Sequence, residues 1–346
     1  MIFLSLFVSL APLKGAAHLC LSDLPQWSVH ADAGKTQERM ALYKERLGAS
    51  MLRASLPWGL LEPREGHWDE APMRGYFEAL KASGLRCKLI LSVVMDPPVW
   101  YLEKHPELRM QDQFGARAHA LAPWSRAQWP YLEKKTRALL ELAKKMGVWD
   151  ITDEVVIDLG PAGEPLYPPN WTLGEGDGLN GGQRGGEEGF FIYGESARAD
   201  FVAAMREKHG TIAQATRAWG TRYKDWDAIA MPQPGTQPGA FWEDVLLWYR
   251  DAKRAFNLWR MESVLALIKE QPSRDVAAIV YLPGIDFSEE DWQQAVQTGG
   301  GNALVRLMID NAYLIEQAAR LGCLLQMTGA QDPAVCEHYL RLAKKS

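Results

Sequence analysis

Apolar positions fall along this chain in two alternating patterns. Short runs rich in Leu, Ile and Val at residues 18–24, 50–56, 86–94, around 155, 276–282 and 323–328 have the length and composition of parallel strands buried on both faces. Between them, apolar residues recur at helical spacing over 36–47, 71–82, 129–146, 196–208, 212–219, 241–269 and 304–321. Met40, Tyr43 and Leu47 make one such stripe, stopped by Gly48, and Gly84 ends the next. Strand and helix in alternation predict βαβ units, a parallel sheet and an α/β fold of the (β/α)8 barrel type. The run stops at six strands where closure needs eight, and beyond residue 328 only 18 of the 346 residues remain. Either the barrel is incomplete at its C-terminus, or residues 2–10 add a strand.

Residues 18–346 read as one barrel, within the usual length of that fold. Residues 1–17 read either as a cleaved leader, with Gly15-Ala16-Ala17 as the processing site, or as an N-terminal strand. The first implies an extracellular or periplasmic protein and the second a cytoplasmic one. A hydrophobic content of 47% and a charged content of 23% are globular values. The net charge of −5 argues against a nucleic-acid partner, which needs a basic face, and residues 2–10 are too short to span a bilayer. Four scattered cysteines without a C-x-x-C pair imply neither a zinc site nor a disulfide scaffold, so no metal or cofactor is expected. Glycines crowd residues 172–189, as in a binding loop or a surface insertion.

The stretch V-V-I-D-L-G-P-A-G-E-P-L-Y-P at 155–168 carries the chemistry. Its apolar strand runs into Gly160 and Gly163, which permit a sharp turn, while Pro161, Pro165, Pro168 and Pro169 stiffen the backbone through and beyond it. One carboxylate, Glu164, is thereby delivered past the end of the fourth strand, where barrel enzymes keep catalytic groups. A lone loop glutamate is ordinarily a solvated charge; the surrounding run sets this one apart.

G-P-A-G-E-x-x-Y-P resembles the β-amylase segment whose glutamate protonates the leaving glycosidic oxygen, and F-F-I-Y-G-E-S-A-R-A-D-F at 190–201 resembles the β-amylase stretch downstream. Three other patches are similar to family 42 glycoside hydrolases: L-P-W-G-L-L-E-P-R-E-G-H-W-D at 56–69, D-P-P-V-W-Y-L-E-K-H-P-E-L at 96–108 with F-G-A-R-A-H at 114–119, and H-G-T-I-A-Q-A-T-R-A-W-G-T-R-Y-K-D-W-D at 209–227. The resemblance implies a glycoside hydrolase acting on oligo- or polysaccharide, β-galactosidase-like or β-amylase-like, with Glu164 as general acid. It also implies that Tyr167 of the acid motif lies at the substrate site.

Glycoside hydrolysis ordinarily needs a second carboxyl group. The β-amylase base lies in a C-x-E-M-like run, matched here by C-L-L-Q-M at 323–327, which puts Gln326, a side chain without usable basicity, at that position. Asp286 and Asp96, just past buried strands, are the leading substitutes, ahead of Glu289, Glu290 and Asp332. Trp58, Trp100 and Trp171 are candidate sugar platforms among the 14 tryptophans, and Arg117 is a candidate donor to sugar hydroxyls. The alternative reading is a catalytically silent carbohydrate-binding barrel that has lost its base.

Overall fold

A computed structural model describes residues 20–22, 33–169, 189–236, 239–271, 274–328 and 333–343. Eight strands lie in these segments: β1 (Cys20–Ser22), β2 (Met51–Pro57), β3 (Arg86–Ser92), β4 (Arg109–Gln111), β5 (Arg117–Leu121), β6 (Thr152–Val156), β7 (Ala277–Leu282) and β8 (Leu324–Met327). Six of them form one parallel sheet in the order β1-β2-β3-β6-β7-β8, the six that the apolar runs predict. Among the described residues β1 and β8 are left as edges, so the sheet is an incomplete (β/α)8 barrel. Residues 1–17, the glycine-rich stretch to residue 188, Trp171 and Asp332 lie outside the described residues.

β4 and β5 pair antiparallel as a separate hairpin, which the apolar pattern does not announce because the strands have only 3 and 5 residues. The continuous helix expected over 304–321 is in fact two, Ala303–Leu307 and Asn311–Leu321. Met308 sits in the left-handed region at φ 54° between them, ending the first helix despite an unbroken apolar stripe.

Side chains alternate across the sheet, and the two faces differ in kind. Leu52, Ala54 and Leu56 of β2, Leu89 and Leu91 of β3, Val155 of β6, and Val280 and Leu282 of β7 point outward. They join one core with Phe77 and Leu80 of the Ala71–Ser83 helix and Leu139 and Leu140 of the Trp129–Lys145 helix. The inward face holds only a small apolar patch, Ile90, Val156, Ile279 and Tyr281. Beside it the inward positions carry a polar group: Arg53 pairs in register with Lys88, Lys88 with Glu154, and Gln326 with Tyr281. A second core, built on Phe190, Phe201, Phe241, Trp242 and Tyr249, joins the β4–β5 hairpin to segments C-terminal to the acid loop.

Candidate active site

The ladder between β6 and β7 continues one residue past β6, with the Ile157 amide donating to the Ile279 carbonyl at 2.9 Å, before the chain turns. The turn folds tightly on itself. The Gly163 amide donates to the Gly160 carbonyl at 2.8 Å and the Glu164 amide to the Pro161 carbonyl at 3.0 Å. A Cβ on Gly160 would meet the Glu164 carbonyl oxygen at 2.7 Å and that of Leu166 at 2.9 Å, so only glycine fits there. Ala162 takes the left-handed conformation at φ 58°, which costs a non-glycine residue about 1–2 kcal/mol. Its carbonyl is held by Arg53 Nη2 at 3.1 Å.

Glu164 stands half-buried at the end of this turn. Burial raises its pKa, opposed by a hydrogen bond from the Thr328 hydroxyl and by the charge of Arg53, and the net shift is upward. A carboxyl that holds its proton above the ordinary range suits a general acid. Below it, on the inward face, Lys88 Nζ lies 2.6 Å from Gln326 Oε1 and 2.6 Å from Glu154 Oε2. The Arg53 guanidinium sits 5.1 Å from the centroid of the Tyr281 ring. Arg53 Nε, the Tyr281 hydroxyl and Gln326 Nε2 are buried without a hydrogen-bond partner. Gln326, two residues before Thr328 on β8, thus falls on the same face as Glu164's partner.

Other residues singled out in the sequence are dispersed. Trp58 has 0% of its surface exposed and donates its indole N–H to Glu62, and the half-buried Trp100 donates to the Glu62 carbonyl at 2.7 Å. Both stand around Lys135, whose Nζ is 5.5 and 5.7 Å from their ring centroids. Their contacts are with this ion pair rather than with Glu164. Asp96 accepts from the Ser92 hydroxyl at 2.6 Å, and burial raises its pKa. Asp286 accepts from the backbone N–H groups of Asn311 at 2.6 Å and Ala312 at 3.3 Å, capping the Asn311–Leu321 helix. Tyr167 is buried, stacked on Tyr249 at 3.7 Å between ring centroids, with its hydroxyl donating to the Tyr249 carbonyl. Arg117 is exposed on β5, and Glu289 and Glu290 are exposed in the first turn of the Glu289–Thr298 helix.

Arg53, Lys88 and Thr328 were not found by sequence reasoning. The available signal was a cation at an inward position of an apolar strand, L-R-A in β2 and C-K-L in β3. Asp158 went unremarked as well, although it stands immediately after an apolar strand. It is buried, accepts from the Val94 and Met95 amides at 2.6 and 3.1 Å, and burial pushes its carboxyl up to about 6. Among the described residues, no three His, Cys, Asp or Glu side chains are placed to hold a metal ion, and no helix is long and apolar enough to cross a membrane.

Comparison with known proteins agrees with this fold. The family model for glycoside hydrolase family 42, described as β-galactosidase, matches residues 26–154. A β-amylase of Cytobacillus firmus is 27% identical over 283 residues, covering 72% of this chain and 58% of that protein. A β-galactosidase of an Arthrobacter species is 25% identical over 62% of this chain and 28% of its own length. The chain therefore spans less than two thirds of these relatives. The crystal structure of the catalytic domain of β-amylase from Paenibacillus polymyxa superposes with a TM-score of 0.68 at 21% identity, covering 88% of this chain and 75% of that one. In sequence and in fold, the chain is similar to the barrels of β-amylases and family 42 β-galactosidases.

Proposed function

We propose that this chain forms the acid-bearing part of a glycoside hydrolase that cleaves O-glycosidic bonds in oligo- or polysaccharides, with Glu164 as general acid. The observation that carries the reading is the Glu164 carboxyl itself, held past the end of a barrel strand by a strained turn, with its pKa raised by burial. In the reaction its proton passes to the glycosidic oxygen as the bond from that oxygen to the anomeric carbon breaks. Names carried by relatives extend this to two substrate classes, α-glucans and β-galactosides.

The partner carboxylate is the open half of the mechanism. Gln326 is bound to Lys88, and both Asp286 oxygens are taken up by a helix N-terminus. Turnover of maltooligosaccharides and of β-galactosides by wild type, beside Glu164→Gln, tests the reading. Wild-type turnover that the substitution abolishes supports it, and equal rates in the two proteins overturn it. Oligosaccharide binding with no turnover in either protein would select the silent carbohydrate-binding barrel.

A further inference from the structure

Among the buried polar side chains of the helix Ala240–Lys269, three that proton transfer at Glu164 does not use stand against the acid segment: Lys253, Asn257 and Arg260, 5%, 3% and 0% exposed. Their spacing, i, i+4 and i+7, puts them on one face of the helix. Each donates to a backbone carbonyl of the acid segment: Lys253 Nζ to Leu159 at 2.8 Å, Asn257 Nδ2 to Pro165 at 3.4 Å and Arg260 Nε to Asp158 at 3.3 Å. The three carbonyls bracket the turn from Gly160 to Glu164. Arg260 Nη1 also donates to the Thr136 hydroxyl at 2.8 Å, tying the same face to the neighbouring Trp129–Lys145 helix.

A face that served only to fill the core would do better with Leu or Met. Burying a cation costs several kcal/mol before compensation, and here Lys253 and Arg260 both draw on the charge of Asp158, with Glu133 acting on Arg260 as well. The turn they grip carries a strained residue. Ala162 is left-handed, and a strained residue persists only where its surroundings over-determine it. Gly160 permits the approach, since a Cβ there would lie 3.3 Å from Lys253 Nζ.

We propose that Lys253, Asn257 and Arg260 form a backbone clamp that fixes the turn carrying Glu164, so that Lys253 is a positioning residue for proton donation. The catalytic half of this proposal rests on the reading of Glu164 as the acid; the clamp itself does not.

The test is Lys253→Met, which keeps length and apolar bulk but removes the donor, measured by amide hydrogen exchange together with steady-state kinetics. Exchange in peptides spanning 158–168 should rise about tenfold or more while peptides from β2 and β3 stay at wild-type protection. On a natural oligosaccharide kcat should fall on the order of 10²-fold with KM within about twofold, as a small misplacement of a catalytic group does. An aryl glycoside with an activated leaving group, which needs little protonation, should lose much less, and Lys253→Arg should recover part of the loss. Folded Lys253→Met with unchanged loop exchange overturns the clamp. If that variant fails to fold, Asn257→Leu, which removes the longest of the three bonds, must raise loop exchange by a smaller factor; no rise overturns the proposal. Looser exchange in Lys253→Met, with Glu164→Gln as active as wild type, upholds the clamp and removes the acid reading. Loss of activity in Glu164→Gln, with loop exchange and kcat untouched in Lys253→Met, does the reverse.

Discussion

Two glutamates of this molecule have nearly the same local sequence logic and opposite surroundings. Glu62 follows β2 in L-L-E-P-R-E-G, and Glu164 follows β6 in G-P-A-G-E-P. Glu62 has no exposed surface, and both its oxygens are engaged, by Lys135 at 2.7 and 2.6 Å, by the Trp58 indole and by the Gly66 amide at 2.8 Å. The rings of Trp58, Trp68, Trp100 and Tyr131 close around the Lys135 ammonium at 5.1–5.7 Å. Glu164 is half-buried, with a hydroxyl and a more distant guanidinium as its partners and a pKa raised by burial. A buried carboxylate whose ammonium, indole and amide donors are all in place is a fixture of the fold. One whose pKa is raised and whose side chain is not wholly enclosed is available for chemistry.

The largest expected effect separates the two directly. Glu164→Gln should lower kcat on a natural oligosaccharide by 10²–10⁴-fold, the usual worth of a positioned general acid. It should leave the unfolding midpoint nearly unchanged, because the amide keeps the shape and can still accept from Thr328. Glu62→Ala should do the opposite. Removing one partner of a buried ion pair costs about 3–5 kcal/mol, here because Lys135 would be left buried among rings. Urea unfolding measures the second effect, and activity per folded molecule should hold. A Glu62 variant as stable as wild type, or a fully active Glu164→Gln, would erase the distinction.

This contrast also marks how far the sequence could be read. The six parallel strands were legible because their outward residues, such as Leu52, Leu89 and Val280, must pack on helices and so keep the apolar signal. Glu164 was legible because glycines and prolines betray the backbone shape of its turn. Trp58 and Trp100 read as sugar platforms in the sequence, yet a tryptophan past a strand has the same letter whether it faces a cleft or an ammonium. The Glu62–Lys135 pair joins residues 73 apart in the chain, and no local pattern announces it. The Lys253 face was hidden for a different reason: one lysine in a 30-residue helix reads as solvated surface until the acid turn is seen to lie against it.

Two of the buried lysines, Lys135 and Lys253, sharpen the comparison through pH. Lys135 has a carboxylate, whereas Lys253 has the Leu159 carbonyl and a shared Asp158, and burial pushes its pKa from 10.5 down to about 7. Between those values the unfolded chain binds more protons than the folded one, so this lysine makes stability rise with pH across that window, by at most ~1.4 kcal/mol per unit. Asp158 acts oppositely at lower pH. Its folded carboxyl, at about 6 against an ordinary 3.8, favours the folded state below pH 4, and that contribution is lost as pH rises through 6. The thiols of Cys20 and Cys323, raised to about 11, favour folding less and less as pH climbs above 9. The measurement therefore belongs between pH 7 and 9. Wild type should gain stability there and Lys253→Met should not; equal slopes in urea unfolding would show that Lys253 carries its proton throughout.

The smallest expected effect concerns the other end of the site. Gln326→Glu restores a carboxylate at the position that matches the β-amylase base. Lys88 Nζ lies 2.6 Å from Gln326 Oε1, so the added carboxylate would find an ammonium within hydrogen-bonding reach. Glu154 already lies 2.6 Å from the same Nζ, and the two like charges must share it. Attraction and repulsion oppose each other, and protonation of one carboxyl can relieve the remainder, so the change in folding stability should stay below that of the Glu62 variant. If this position lies across the scissile bond from Glu164, the variant gains the missing base, and its pH–rate profile acquires an acidic limb that wild type lacks. A variant that folds, turns over no faster at any pH and shows no new limb, beside an active wild type, would move the base off β8. Asp96 would then be the stronger candidate, since Asp286 is committed to the Asn311–Leu321 helix.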